Sequence, residues 1–322
     1  MTVRNLRTFA FGLCAFFVVP AIASAATAPS PCGNALSQRT WVRPPSAPSG
    51  SEFTRRIALM SDDEREAAIE TALLAGDMPS FLKQLAPVTL EGETPDGRSI
   101  RVTVCVAPDY LAVGSGSDFL YVPMRLGTAL RIAHHYGFTL PTAKIVDAIY
   151  EQSVVRLKPQ PLPAGDQMRS TGYYRHHSDL IDQQRRALGA ATGVLTAGHK
   201  KDLVLTNRLR RLPDRVAIYG WHWADNDPIQ PLSTLHGARY ADYSHGVRLV
   251  STVVYVNGEA RSIFDVLADP VLAPVLSDEG PIPELTTLTA SLSAPAAQGV
   301  ALPGSDTTRV AIARSFAVDS EH

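Results

Sequence analysis

The spacing of apolar residues changes along this chain, and the change restricts the fold class. In the segment 61–73 apolar residues recur at helical spacing behind a serine and three acidic residues, which is typical of a helix start. In the segments 100–106 and 247–256 they alternate with polar residues or form β-branched runs, which is typical of strands. We therefore expect an α+β fold, with helices mainly in the first half and a mixed or antiparallel sheet in the second half.

Turn residues and local pattern place further elements. Asn257-Gly258 is typical of a two-residue hairpin turn. The segment 176–188 is expected to be a polar helix whose two adjacent histidines, His176 and His177, face solvent. Further strands are predicted over Asp202–Thr206, Arg215–Trp223 and Leu232–His236.

Residues 1–25 have the three parts of a cleavable secretory signal, namely a basic head, an apolar core over 9–23 and small residues at 23–25. Pro20 interrupts the apolar stretch before it reaches the roughly 20 residues that a spanning helix needs. We therefore expect a periplasmic or secreted protein with no stable membrane span after the signal is cleaved.

Two cysteines, Cys32 and Cys105, remain once the signal is removed. An exported chain meets an oxidising compartment in which such a pair is usually bridged, so a Cys32–Cys105 disulfide is predicted. The alternative is a free catalytic thiol, although neither cysteine has a histidine beside it in the sequence.

Composition divides the mature chain into three parts. Residues 26–51 are rich in Pro, Ser and Ala and are predicted to form a flexible leader. A single α+β domain is expected over 52–285, followed by a loosely ordered tail over 286–322, where Ala, Ser, Thr and Pro prevail.

The charge balance argues against two classes of partner. The chain has 30 Lys and Arg against 31 Asp and Glu, so its net charge does not favour nucleic acid or an anionic membrane surface. The sequence also carries no fingerprint for a nucleotide or an organic cofactor, and none is expected.

Polar and aromatic residues concentrate between 219 and 248, which makes this span the candidate site. The residue types of acid–base chemistry predict a catalytic set of His236, Asp242, Ser244 and His245. Aromatic and cationic side chains predict a substrate-binding set of Tyr219, Trp221, His222, Trp223, Lys200 and Arg248.

Three interpretations of this span stay open. His236, Asp242 and His245 are ligand types that zinc accepts, which suggests zinc-dependent hydrolysis. A metal-free alternative uses Ser244 as nucleophile, His236 as base and Asp242 to orient the imidazole. In the third interpretation the same residues are structural, with His245-Gly246 as a turn before a strand.

The run Ser244-His245-Gly246 followed by Val247-Arg248-Leu249 resembles the signature of the L,D-transpeptidase family. That family cross-links peptidoglycan with a cysteine placed directly after Ser-His-Gly. Val247 stands at that position here, so the resemblance implies a relative that lacks the family's thiolate. The runs 106–113, 140–146 and 243–249 also resemble an exported bacterial family of unknown function.

Export and the composition of the candidate site together lead to one functional expectation. We expect an exported hydrolase that acts on a cell-envelope or extracellular polymer, either peptidoglycan peptide or polysaccharide. The alternative is a non-catalytic envelope or ligand-binding protein that uses the same groove.

Overall fold

The computed structural model describes residues 31–33, 41–224 and 226–294 and confirms the α+β class. The predicted signal peptide, residues 1–25, lies outside the described residues. The helices described are α1 (Gly50–Ile57), α2 (Asp62–Leu74), α3 (Leu126–His135), α4 (Ala143–Gln152), α5 (Thr171–Ala187), α6 (Ile263–Ala268), α7 (Ala273–Leu276) and α8 (Leu285–Ser293). The strands described are β1 (Ala86–Glu93), β2 (Ser99–Val106), β3 (Ala112–Gly114), β4 (Phe119–Tyr121), β5 (Phe138–Thr139), β6 (Val155–Arg156), β7 (Thr196–Ala197), β8 (Lys201–Leu203), β9 (Ile218–His222), β10 (Pro228–Ser233), β11 (His245–Gly246), β12 (Val250–Val256) and β13 (Glu259–Ser262).

The larger sheet is antiparallel, with the strand order β1-β2-β12-β13 and β5 paired to the start of β12. Val102 and Val104 of β2 are fully buried, while Arg101 before them is exposed and Thr103 between them is half-buried, as the alternating sequence pattern predicts. Helices pack on this sheet and complete the main hydrophobic core.

The smaller sheet carries most of the candidate site. Its order is β10-β9-β8-β11, in which β11 runs parallel to β8 and the other pairs are antiparallel. β10 begins at Pro228, earlier than the predicted start at Leu232, because Pro228 pairs with His222 directly after the turn. Consequently His222 lies at one end of the β9–β10 hairpin and His236 lies at the other end.

Local capping signals form the contacts that the sequence indicates. Ser61 caps α2 and exchanges hydrogen bonds with Glu64 in a capping box. Asn257 and Gly258 both have a positive φ, 49° and 91°, as the predicted two-residue hairpin turn between β12 and β13 requires.

Parts of the predicted leader and tail are packed against the fold. Trp41 is 3% exposed and its ring meets Tyr136 edge-on at 5.4 Å between centroids, so residues 41–51 do not run free over the surface. α8 packs on α3, and it buries Leu285 and Thr289 at helical spacing. Residues 295–322 of the predicted tail lie outside the described part of the chain.

A disulfide joins Cys32 to Cys105, as predicted. It attaches the short turn Pro31–Gly33 to β2, across a sequence separation of 73 residues. Within residues 31–33, 41–224 and 226–294, no helix has the length and apolar character to cross a bilayer.

Candidate functional site

His245 stands at the centre of the candidate site. It begins β11, is 1% exposed, and its Nε2 lies 4.0 Å from Oδ2 of Asp242. Among the described residues, neither ring nitrogen has a hydrogen-bond partner. Burial lowers the pKa of the imidazole to about 4, against the opposing attraction of Asp242, so His245 is neutral at physiological pH.

Asp242 is held rigidly beside this imidazole. Its Oδ1 accepts hydrogen bonds from the backbone N–H of Ser244 at 2.8 Å and from Ser244 Oγ at 2.6 Å, and its Oδ2 accepts one from the Tyr240 hydroxyl at 2.9 Å. Burial alone would raise the pKa of Asp242, but attraction to His245 and the bonds from Ser244 and Tyr240 lower it. The carboxylate is therefore ionised beside a neutral histidine.

Ser244 supports the carboxylate. Its side chain is fully buried and its hydroxyl proton points to Asp242. If Ser244 were the nucleophile, its hydroxyl would donate to His236. In the structure it donates to Asp242 instead.

His236 and Tyr240 cover His245. Their rings stack at 4.3 Å between centroids with an interplanar angle of 13°. The His236 ring lies 6.3 Å and the Tyr240 ring 5.8 Å from the His245 ring. Both covering residues are half-buried, so they separate His245 from solvent.

Lys201 faces the same region as His245. The two residues are direct partners in the parallel pairing of β11 and β8, so their side chains project to the same side of the smaller sheet. The Lys201 ammonium is half-buried and lies 5.0 Å from the centre of the Trp221 ring. The predicted binding residue is its neighbour Lys200, whose side chain projects to the opposite face.

Lys200 is enclosed beneath the site. Its Nζ lies 3.0 Å from Nδ1 of His177 and donates to the backbone carbonyl of Tyr243 at 2.5 Å. Burial lowers the Lys200 pKa to about 7. His177 is fully buried, so the prediction that it faces solvent is wrong, whereas its neighbour His176 is exposed.

Trp221 adopts a backbone conformation that is rare for a bulky residue. Its φ is 60°, although it is buried and carries a large side chain. Its Nε1, like Nε2 of His177, is buried without a hydrogen-bond partner among the described residues. Buried polar groups are nearly always paired, so unpaired ring nitrogens on His177, Trp221 and His245 indicate a place for water or a polar ligand.

The remaining predicted binding residues on β9 form a separate cluster. The ring of His222 stacks on Tyr150 at 4.6 Å, and His222 Nε2 lies 2.8 Å from Oδ1 of Asp147. The Tyr219 hydroxyl donates to the other oxygen of Asp147 at 3.1 Å, and Trp223 is 42% exposed. The members of the predicted binding set within residues 219–223 are thus divided between two places along and just after β9.

Arg248 is fully buried. Its guanidinium donates to the carbonyls of Ala107 at 3.0 Å and Thr196 at 2.7 Å, and it lies 4.1 Å from the centre of the Tyr110 ring. These bonds hold Arg248 in the interior, where it is 0% exposed.

A second buried network, which no local sequence pattern predicts, lies behind Lys200. Asp109 forms an ion pair with Arg185 and lies 3.2 Å from Nε2 of His199. The Tyr121 hydroxyl also donates to Asp109, at 2.9 Å. Asp109 and Arg185 are 76 residues apart in the sequence, so no local pattern reveals the pair.

No group of three or more His, Cys, Asp or Glu side chains is placed to hold a metal ion within residues 31–33, 41–224 and 226–294. The zinc site of His236, Asp242 and His245 stays a prediction. Of its three members, His245 and Asp242 are adjacent, and the ring of His236 is stacked on Tyr240.

Comparisons with models of known protein families, with curated proteins and with solved structures find no match to this chain.

Proposed function

We propose that this chain is an exported hydrolase that acts on a cell-envelope or extracellular polymer. The observation that carries the proposal is the neutral imidazole of His245, buried beside an ionised carboxylate and without a hydrogen-bond partner among the described residues. A neutral histidine with a free nitrogen can accept a proton, and a nearby carboxylate stabilises the imidazolium that results.

The proposed reaction uses water as the nucleophile. His245 takes a proton from water while the water oxygen forms a bond to the carbonyl carbon of the substrate. Asp242 stabilises the resulting imidazolium, and the Lys201 ammonium stabilises the oxyanion that develops on the carbonyl oxygen. His245 then passes the proton to the leaving nitrogen as the carbon–nitrogen bond breaks.

The cover over His245 must open for this reaction. His236 and Tyr240 lie between His245 and solvent, and their stacked rings block direct approach. We propose that substrate displaces this stack and that closure excludes bulk water afterwards.

The charge around the site favours a peptide over a neutral polysaccharide. The half-buried Lys201 ammonium also gives the site a positive potential, which attracts a substrate with free carboxylates. Peptidoglycan stem peptides carry such free carboxylates. We therefore favour peptidoglycan peptide as the substrate class.

A zinc-dependent version of the same reaction remains a second form of the proposal. It requires the His236 ring to leave Tyr240 and to join Asp242 and His245 around one ion. Elemental analysis of the purified chain and its His236→Ala variant distinguishes the two forms. One zinc per chain, lost in the variant, would select the metal form.

A non-catalytic binding protein is the alternative, and one observation favours it. His245 is 1% exposed, and neither of its ring nitrogens is hydrogen-bonded to Asp242, so the carboxylate does not fix the orientation of the imidazole. In a binding protein, His245 would donate or accept a hydrogen bond from a ligand that is not changed.

The experiment measures fragments released from purified peptidoglycan and from a neutral polysaccharide. His245→Gln and Asp242→Asn are expected to reduce release by at least about a hundredfold, the lower range for loss of a general base. His176→Gln, on the exposed face of α5, serves as the matched control and is expected to retain full activity. Folded wild-type protein that releases nothing, or variants as active as the control, would overturn the hydrolase proposal.

A further inference from the structure

We infer that a second site, separate from His245, binds one ring of a neutral sugar. The site is a cleft of about 210 Å³ between α1, α5 and the segment 117–121 that leads into and forms β4. This inference concerns binding alone and does not depend on hydrolysis at His245.

The charges that line the cleft are already compensated. Arg175 pairs with Asp179 at 2.8 Å, and Arg186 pairs with Asp182 at 2.7 Å, each one turn apart on α5. At the inner end, Arg185 pairs with the buried Asp109. A charged ligand would meet an opposing charge beside every attractive one, so the lining favours a neutral ligand.

The same groups match the hydrogen-bonding capacity of a sugar. A sugar hydroxyl both donates and accepts, so it can bond a carboxylate and a guanidinium at the same time. Arg175 also donates to Ser51 Oγ at 3.2 Å, and Ser51 donates to Asp118 at 3.0 Å, which fixes these groups at the cleft mouth. A ligand with several neighbouring hydroxyls fits this alternation of donors and acceptors.

Ser178 supports a ligand in this cleft independently of the charged residues. It lines the cleft, is 6% exposed, and its Oγ has no hydrogen-bond partner among the described residues. Such a hydroxyl costs free energy unless something bonds to it. Phe119 adds a half-buried aromatic surface in the same cleft, which suits the apolar face of a sugar ring.

The size of the cleft limits the ligand to one ring. Pockets for drug-sized molecules have volumes of roughly 300 to 1,000 Å³, and this cleft is smaller. Tyr121 forms part of its lining and also lies 5.6 Å from Nζ of Lys200, which places the cleft behind the His245 site rather than within it.

The test is calorimetric titration of the full mature chain with N-acetylglucosamine and with glucose, repeated in the presence of phosphate. We expect saturable binding that phosphate does not compete away. Ser178→Ala should weaken binding about five- to tenfold, the loss of one hydrogen bond. Asp214→Asn, an exposed position outside the cleft, is the control and should bind as the wild type does.

Three results would overturn the inference: no saturable binding of either sugar, unchanged affinity in Ser178→Ala, or displacement of the sugar by phosphate. Asp182→Asn separates a neutral from an anionic ligand, because it leaves Arg186 uncompensated and would strengthen phosphate binding. His245→Gln is expected to keep sugar binding, so failure of the hydrolase proposal and failure of this one give different results.

Discussion

His245 and Lys201 are direct partners in the parallel pairing of β11 with β8, so a neutral imidazole and an ammonium project from the same side of one small sheet. Asp242 Oδ2 lies 4.0 Å from Nε2 of that imidazole. The site therefore contains a base, a carboxylate to stabilise its protonated form, and a cation for developing negative charge.

The bond from Tyr240 to Asp242 gives a prediction about pH. Tyr240→Phe removes one of the hydrogen bonds that lower the pKa of Asp242, so this pKa rises. Activity should consequently begin to fall at a higher pH as the solution is acidified, and it should drop severalfold at its optimum. The measurement is the pH profile of fragment release. Tyr255→Phe, in the larger sheet, should keep the wild-type profile.

Burial of Lys200 predicts a pH-dependent stability. Its pKa is about 7 in the folded chain and near 10.5 when exposed, so between these values the unfolded chain binds the extra proton. The free energy of unfolding should rise with pH over this window, by up to about 1.4 kcal/mol per pH unit. Urea unfolding at several pH values should show this slope in the wild type and in Lys158→Met, which changes an exposed lysine. An equal slope in Lys200→Met would contradict the prediction.

Gly246 has no room for a side chain. An added Cβ would lie 2.7 Å from Lys200 Cβ and 2.7 Å from Tyr110 Cδ1, both within the packed interior. Gly246→Ala should therefore lower the free energy of unfolding by about 1–3 kcal/mol through overpacking. Gly116→Ala is the matched control, because nothing lies within 4 Å of its added Cβ. Thermal unfolding that is the same for both variants would show that the packing around Gly246 yields easily.

The disulfide between Cys32 and Cys105 should stabilise the fold. It joins positions 73 residues apart, and breaking a bond that closes a loop of this length typically costs about 2–4 kcal/mol. Addition of a reductant should lower the urea midpoint of the wild type. The double variant Cys32→Ser/Cys105→Ser should already show the lower midpoint and should not respond to reductant. A wild type that is insensitive to reductant would argue against a stabilising bridge.

Features set by neighbouring residues were predictable from the sequence. The Ser61 capping box and the Asn257-Gly258 turn depend on residues within a few positions of each other, and both form as expected. The closeness of Asp242 to His245 is of the same kind, since three positions separate them.

Features set by distant residues were not predictable in this way. His177 lies on a polar helix, and its burial depends on Lys200, which is 23 residues away and on another element. The start of β10 at Pro228 depends on cross-strand pairing with His222, which a local pattern of apolar residues does not register. Which of Lys200 and Lys201 projects to the same side as His245 depends on the register between β8 and β11, and that is a property of the assembled sheet.

The most direct test of the central claim, that His245 is a neutral base which the substrate reaches, is an NMR titration of histidine-labelled protein with and without substrate polymer. The His245 ring should stay neutral as the pH falls well below 6.5, with a pKa near 4, and its signals should move when polymer is added. His245→Gln identifies the resonance by its loss. A ring that titrates at 6.5 or above and does not respond to polymer would contradict the claim.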